Sequence, residues 1–277
     1  MEILYIYILI GFIGGITAGM LGLGGGIIFV PGLMIIHKTQ ELYHGYEIQV
    51  AIYTSLICII FAGFTSSFLH YKNKLIDITI LRKFLIYISA GCFVGIYLLE
   101  LTSTSTLETI YSIILIILAL ILISDSAIIK NNMKTFNKAG STYFFANGVI
   151  SSLMGIGGGT LSVPYLQFIT NNIRVSIATA SVFGLAISLT SILFMYVINS
   201  NILIDKINYD SLLVIVPTSV LGSYCGVILL KSINPSFVKK IFSTVLIVIA
   251  IYLFIDWLYP VASLVMLDFN VSTLVYY

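Results

Sequence analysis

The sequence predicts an all-α polytopic membrane protein made of two four-segment repeats, inverted relative to one another, each opening with a glycine-broken helical hairpin. Three observations lead there: an apolar composition, a series of long apolar runs, and a motif that recurs. Of 277 residues, 59% are apolar and 9% charged, with a mean hydropathy of +1.10. So few charges cannot cover a soluble domain of this size. A span needs about 20 apolar residues to cross roughly 30 Å of hydrocarbon. Runs of that kind fall near 3–36, 48–69, 84–101, 107–124, 142–170, 176–198, 212–230 and 237–257.

The first run has no basic segment before it and leads straight into glycines, so it reads as a retained element rather than a cleaved signal. The stretch Glu108–Ser124 is almost pure Ile and Leu, which suits a helix facing lipid. Charge collects between runs, as in Lys72 to Lys83 and Lys130 to Lys138. The divisions are a first repeat over 1–128, a basic cytoplasmic linker over 129–140, a second repeat over 141–257 and a tail over 258–277. The tail holds Asp268 and Asn270 and is either interfacial or a partial span.

The repeat rests on three matches in the same order. Gly22-Leu-Gly-Gly-Gly26 reads on to Pro31, and 133 positions later Gly155-Ile-Gly-Gly-Gly159 reads on to Pro164. Thr54-Ser55-Leu56 matches Ala180-Ser181-Val182 at an offset of 126, and Gly91-x3-Gly95 matches Gly222-x3-Gly226 at 131. Offsets that drift slightly are expected when helices correspond and loops do not.

Lys and Arg concentrate in cytoplasmic loops, which tests topology. Eight full spans divide the basic residues 8 to 5 between the two sides. If each glycine-containing run instead enters and leaves by one face, as half-helices 3–21 with 27–36 and 142–154 with 160–170, the division becomes 11 to 2, with Lys38 and Lys206 outside. Each repeat then crosses an odd number of times and the halves are inverted. Kinked full spans with a weak charge bias remain the alternative.

Three consecutive glycines in a membrane helix need a reason, since each costs on the order of 1 kcal/mol relative to Ala in a helix interior. A broken helix also frees backbone groups that hydrocarbon cannot satisfy, so a break belongs where it lines a cavity. A new half-helix starts near Ile27 and near Thr160. Its first N–H groups are free and its dipole is positive at that end. Two such ends brought together at mid-depth would hold an anion without any buried lysine. Gly11, Gly15, Gly19, Gly91 and Gly95 read instead as close helix packing.

The repeated G-[LI]-G-G-G-x4-P-x-L motif, with small hydroxyl residues in the helix that follows, resembles the TauE/SafE sulfite-exporter family over nearly the whole chain, to about residue 257. The resemblance implies a secondary transporter of small sulfur-containing or carboxylated anions across the inner membrane. It places the substrate at Gly24, Gly25, Gly26, Thr54 and Ser55 in the first half, and at Gly157, Gly158, Gly159 and Ser181 in the second. Ala180 stands where the first half has Thr54. Thr160 and Ser162, at the positions of Ile27 and Phe29, compensate, so the site is expected to be polar mainly on the second-repeat side.

Other chemistries find little support. Buried Ser/His pairs, paired Asp and HExxH are absent, which argues against an intramembrane enzyme. Cys58, Cys92 and Cys225 are widely spaced in apolar runs and form no metal or disulfide pattern. No cofactor is expected. Asp77, Glu100, Asp125, Asp205 and Asp256 lie at run ends and read as solvated, and His70 reads as an interfacial anchor beside Lys72. Arg174, at the start of the sixth run, could draw anions to the cytoplasmic mouth. The expected partners are a small anionic substrate and the lipid bilayer, with no nucleic acid at a net charge of +2. The coupling ion (proton or sodium), a homo-oligomer, and an anion channel or structural subunit as the alternative function all stay open.

Overall fold

The computed structural model describes residues 2–22, 24–123, 139–199 and 209–232, together with Ile207, Thr244, Ile247, Val248 and Ile251. Most of the linker, nearly all of the run at 237–257, and the tail lie outside the described residues. So do Lys130, Lys134, Lys138, Lys206, Asp125, Asp205 and Asp256.

The described chain is helical, in the order α1 (Glu2–Leu21), α2 (Gly26–Thr39), α3 (Glu47–Lys72), α4 (Ile78–Leu101), α5 (Thr104–Ile123), α6 (Gly140–Met154), α7 (Gly159–Thr170), α8 (Ile173–Asn199) and α9 (Tyr209–Ser232). Five stretches are long and apolar enough to cross a membrane: Ile3–Leu21, Glu47–Lys72, Ile78–Leu101, Ile173–Ile198 and Tyr209–Leu230. The chain is a multi-pass membrane protein. Phe61, Phe64 and Phe68 of α3 and Leu85, Ile86 and Phe93 of α4 are exposed, as residues facing hydrocarbon are.

The two glycine-containing runs do not continue as single helices. The 14 residues of α2, the 15 of α6 and the 12 of α7 reach only about 18–22 Å at 1.5 Å per residue. α1, with 20 residues, is longer than a half-membrane helix, at about 30 Å. Within the first hairpin, Gly14 lies against Phe29 and Gly32 against Ile10, so α1 and α2 run antiparallel. The second hairpin turns the same way: Tyr143 stacks on Tyr165 with ring centroids 4.5 Å apart, and its hydroxyl donates to the Leu161 carbonyl at 2.6 Å.

Glycines set how closely the other helices approach. Gly11, Gly15 and Gly19 of α1 lie on the α9 backbone and side chains at Ile215, Thr218, Ser219 and Ser223, while Gly222 and Gly226 of α9 lie on Phe12 and Ile16. Numbers rise together along both helices, so α1 and α9 are parallel. Gly91 and Gly95 of α4 meet Phe145 and Val149, and Gly148 of α6 meets Ile88 and Cys92, so α4 and α6 are parallel too. A side chain at any of these glycines would enter the neighbouring backbone, which is the small-residue packing expected for the first-half positions. Between these pairs, α3 and α8 cross antiparallel, with Gly63 beside Leu185 and Ser67 Oγ 3.4 Å from Ser181 Oγ.

Polar side chains finish the helices. Asp77 Oδ1 accepts from the Thr79 and Ile80 amides at 2.9 and 3.1 Å, starting α4. Asn172 Oδ1 accepts from the Arg174 and Val175 amides at 3.0 and 3.3 Å, starting α8. These are side-chain N-caps, which satisfy donors that have no partner within their own helix. Asp77 is therefore committed to a cap rather than merely solvated.

Candidate functional site

Both breaks use the same backbone. Gly22, Gly24 and Gly25 have φ of 66°, 79° and 79°, and Gly155, Gly157 and Gly158 have 64°, 74° and 69°. These left-handed values suit glycine and strain other residues. Gly25 and Gly158 are the N-caps of α2 and α7 and have no side chain to cap them. Ile28 and Phe29 at one start donate to the Gly25 carbonyl, and Gly159 and Ser162 at the other donate to the Gly157 and Gly158 carbonyls; neither start has a side-chain cap.

The breaks touch each other. A Cβ on Gly24 would stand 2.9 Å from the Ile156 carbonyl oxygen and 3.2 Å from Gly157 Cα, and one on Gly26 would overlap the Gly155 carbonyl. Ile59 of α3 packs on Gly24 and Gly157 together, and Gly184 of α8 lies on the Gly157 carbonyl. Backbone meets backbone here because no side chain fits between. Ser55 of α3 joins the contact, its Oγ donating to the Gly155 carbonyl at 2.8 Å.

The two walls differ in polarity. In the first half Gly14 leaves room for the Phe29 ring, and Ile27 is buried in the first turn of α2. At the corresponding second-half positions stand Asn147, Ser162 and Thr160. The Asn147 amide donates to Ser162 Oγ at 2.7 Å and approaches the Gly158 carbonyl at 3.4 Å, and Ser151 Oγ donates to Asn147 Oδ1 at 2.8 Å. Thr160 is 1% exposed, and its Oγ1 has no hydrogen-bond partner. A buried hydroxyl left unpaired is uncommon and asks for an explanation.

Several residues singled out from the sequence meet at this contact: Gly24, Gly26 and Ser55, with Gly157 of the opposite break. Gly158, Gly159 and Thr160 lie beside them at the start of α7. Two hydroxyls are spent elsewhere. Thr54 Oγ1 donates to the Val50 carbonyl of its own helix at 2.8 Å. Ser181 Oγ donates to Ala178 at 2.8 Å, away from the equivalent of the Ser55 contact. Asn147 and Ser151 escaped the sequence reading, although an amide inside an apolar run at the repeat position of a glycine was a usable signal. His70 is not an interfacial anchor. It is fully buried, with Nε2 3.3 Å from the Gly19 carbonyl. Glu100 is not simply solvated either, since it accepts a short hydrogen bond from the Tyr53 hydroxyl. Cys58 and Cys92 are buried, Cys225 is half-buried, and all three are free thiols. Among the described residues no group of three His, Cys, Asp or Glu could hold a metal ion.

Comparison with known proteins gives the family. The family model described as Sulfite exporter TauE/SafE matches residues 7–253. The chain is 27% identical to the probable membrane transporter protein YunE of Bacillus subtilis, over 92% of this chain and 98% of that one. It is 26% identical to a probable membrane transporter protein of Haemophilus influenzae, covering 90% and 97% of the two chains. A probable membrane transporter protein of Methanocaldococcus jannaschii is 25% identical over 91% and 95%. No solved structure matches the chain. The paired glycine breaks therefore sit in a membrane transporter rather than an enzyme, and the chain belongs to the TauE/SafE sulfite exporter family.

Proposed function

We propose that this transporter is a secondary carrier of small anions, of the sulfite, sulfonate, thiosulfate or small carboxylate type, across the inner membrane. The substrate is held where the N-termini of α2 and α7 meet. The observation that carries this reading is the unpartnered Thr160 hydroxyl, buried in the first turn of α7 beside two uncapped helix starts. Each helix N-terminus contributes roughly half a positive charge, and the two together favour one anion without a buried cation. The hydroxyl supplies a directed donor, and Asn147, Ser151 and Ser162 keep that wall polar.

The same reading takes the two halves as inverted hairpin repeats, with substrate at their interface. Its support is the pairing of α1 with α9 and of α4 with α6, together with the antiparallel crossing of α3 and α8. The matched names of the relatives speak of membrane transport, and the family name of sulfite. Flux into proteoliposomes tests the proposal. Saturable uptake of labelled sulfite or a small sulfonate, accelerated by unlabelled anion on the far side, is the expected result. Uptake that rises linearly with concentration and shows no such acceleration would mean a passive pore.

A further inference from the structure

Where α3 ends, α8 begins and α9 ends, a cavity of about 280 Å³ is lined by His70, Asn73, Leu75, Arg174, Val227 and Leu230. His70 has no exposed surface. Its Nε2 lies 3.3 Å from the Gly19 carbonyl oxygen, which can only accept, so Nε2 carries a proton. In the neutral ring Nδ1 is then a bare lone pair, and it is buried without a hydrogen-bond partner. Arg174 is exposed at the start of α8, and the described ion pair is Lys38 with Glu108, at the far end of other helices.

Among the described residues no carboxylate lines the cavity. The groups there that carry or gain charge are Arg174 and His70; α9 faces them with Val227 and Leu230, the turn after α3 with Asn73 and Leu75, and α1 meets His70 with a carbonyl. Asp77, further along that turn, is taken up in capping α4. His70 lines the cavity, and Nδ1 is its unpartnered atom; an anion drawn in by Arg174 and the Asn73 amide and brought to that lone pair would be repelled, as two acceptors are, unless a proton stood between them.

We propose that this cavity is a mouth site that binds a small oxyanion together with one proton, shared between the anion and His70 Nδ1. Arg174 and Asn73 hold the remaining oxygens. The proton either arrives on a monoprotonated anion that donates to Nδ1, or charges the ring, which then donates to the anion. Both descriptions take one proton from solution for each fully ionised anion. From His70 the α3–α8 seam leads by Ser67 and Ser181, then Gly63 and Leu185, to Ile59 against both glycine breaks. That is about 16 Å along α3, so an anion entering by this face meets the cavity before the central contact. The inference goes beyond the central site while resting on the small-anion reading.

Calorimetric titration of the purified full chain with methanesulfonate, in two buffers of different ionisation enthalpy, counts the protons. Methanesulfonate is fully ionised at neutral pH. The expected result is uptake of about one proton per anion bound, abolished in His70→Gln. Arg174→Gln should weaken binding at least roughly tenfold, and because Arg174 is exposed this variant folds whatever His70→Gln does. Binding without proton uptake by the parent chain overturns the proposal, as does no binding at all. So does parental affinity in Arg174→Gln combined with a parental proton count in His70→Gln. Flux in proteoliposomes is read separately: absent anion transport by the parent chain would sink the functional reading, whereas normal transport with an unaltered proton count would sink the mouth site alone.

Discussion

The Asn147 amide donates to Ser162 Oγ at 2.7 Å, in the place where the first half of the chain holds the Phe29 ring against Gly14. The two halves fill the same gap between a hairpin's helices by different means: a polar pair in one, a glycine and an aromatic ring in the other. Polarity is exchanged along with the filling. This swap is what makes the second wall the polar one.

The exchange can be tested as a cycle. Asn147→Gly opens a void and strips Ser162 and Ser151 of a partner, and Ser162→Phe drives a ring into the amide. Each alone should lower stability by about 1–3 kcal/mol. The double variant recreates the first-half pair, and a coupling of roughly 0.5–3 kcal/mol in its favour is expected from residues in direct contact. Thermal unfolding in detergent measures all four proteins; strictly additive losses would mean that the two halves do not share this packing rule.

Thr160→Val separates the site from the scaffold. Valine keeps the shape and removes a hydroxyl that is buried without a partner, so stability should hold or rise by up to about 1 kcal/mol. Anion transport should fall, because a hydrogen bond to a charged group contributes about 1.5–3 kcal/mol, roughly ten- to a hundredfold in KM. A variant that is both stable and kinetically normal would remove Thr160 from the site.

Gly26→Ala and Gly45→Ala test the contact between the breaks. A Cβ on Gly26 would overlap the Gly155 carbonyl and crowd Ile156 Cα at 2.6 Å, and neither backbone can yield cheaply. Gly45 has φ of 80° but nothing within 4 Å, so alanine there costs about 1–2 kcal/mol of backbone strain alone. The yield of folded protein on gel filtration should collapse for the first and stay near parental for the second.

Single-cysteine labelling reads the hairpins. Lys74→Cys in the turn after α3 and Asn172→Cys before α8 should react with an impermeant maleimide from the same face, and Gly45→Cys from the opposite face. The background is favourable, since Cys58 and Cys92 are buried. Labels at 74 and 172 on opposite faces would require each glycine run to cross the membrane fully.

The sequence alone determined that this is a helical membrane protein with paired breaks. Chain-local properties carry those conclusions: runs long enough to cross hydrocarbon, charges confined between them, and glycines 133 positions apart that no helix interior favours. It also located the small-residue faces, because Gly91-x3-Gly95 and Gly222-x3-Gly226 are legible as spacing. The partners of those faces were not legible. That Gly91 meets Phe145 and Gly222 meets Phe12 is a property of how helices from different halves assemble. The fate of each hydroxyl was equally hidden, since a threonine in an apolar helix can satisfy itself on the carbonyl four residues back, as Thr54 does, or be left unpaired, as Thr160 is. His70 looked like an anchor because it ends an apolar run; only the approach of α1, which puts the Gly19 carbonyl against its ring, turned it into a buried group beside Arg174. Burial and pairing depend on which backbone arrives next to a side chain, and that is decided by tertiary packing.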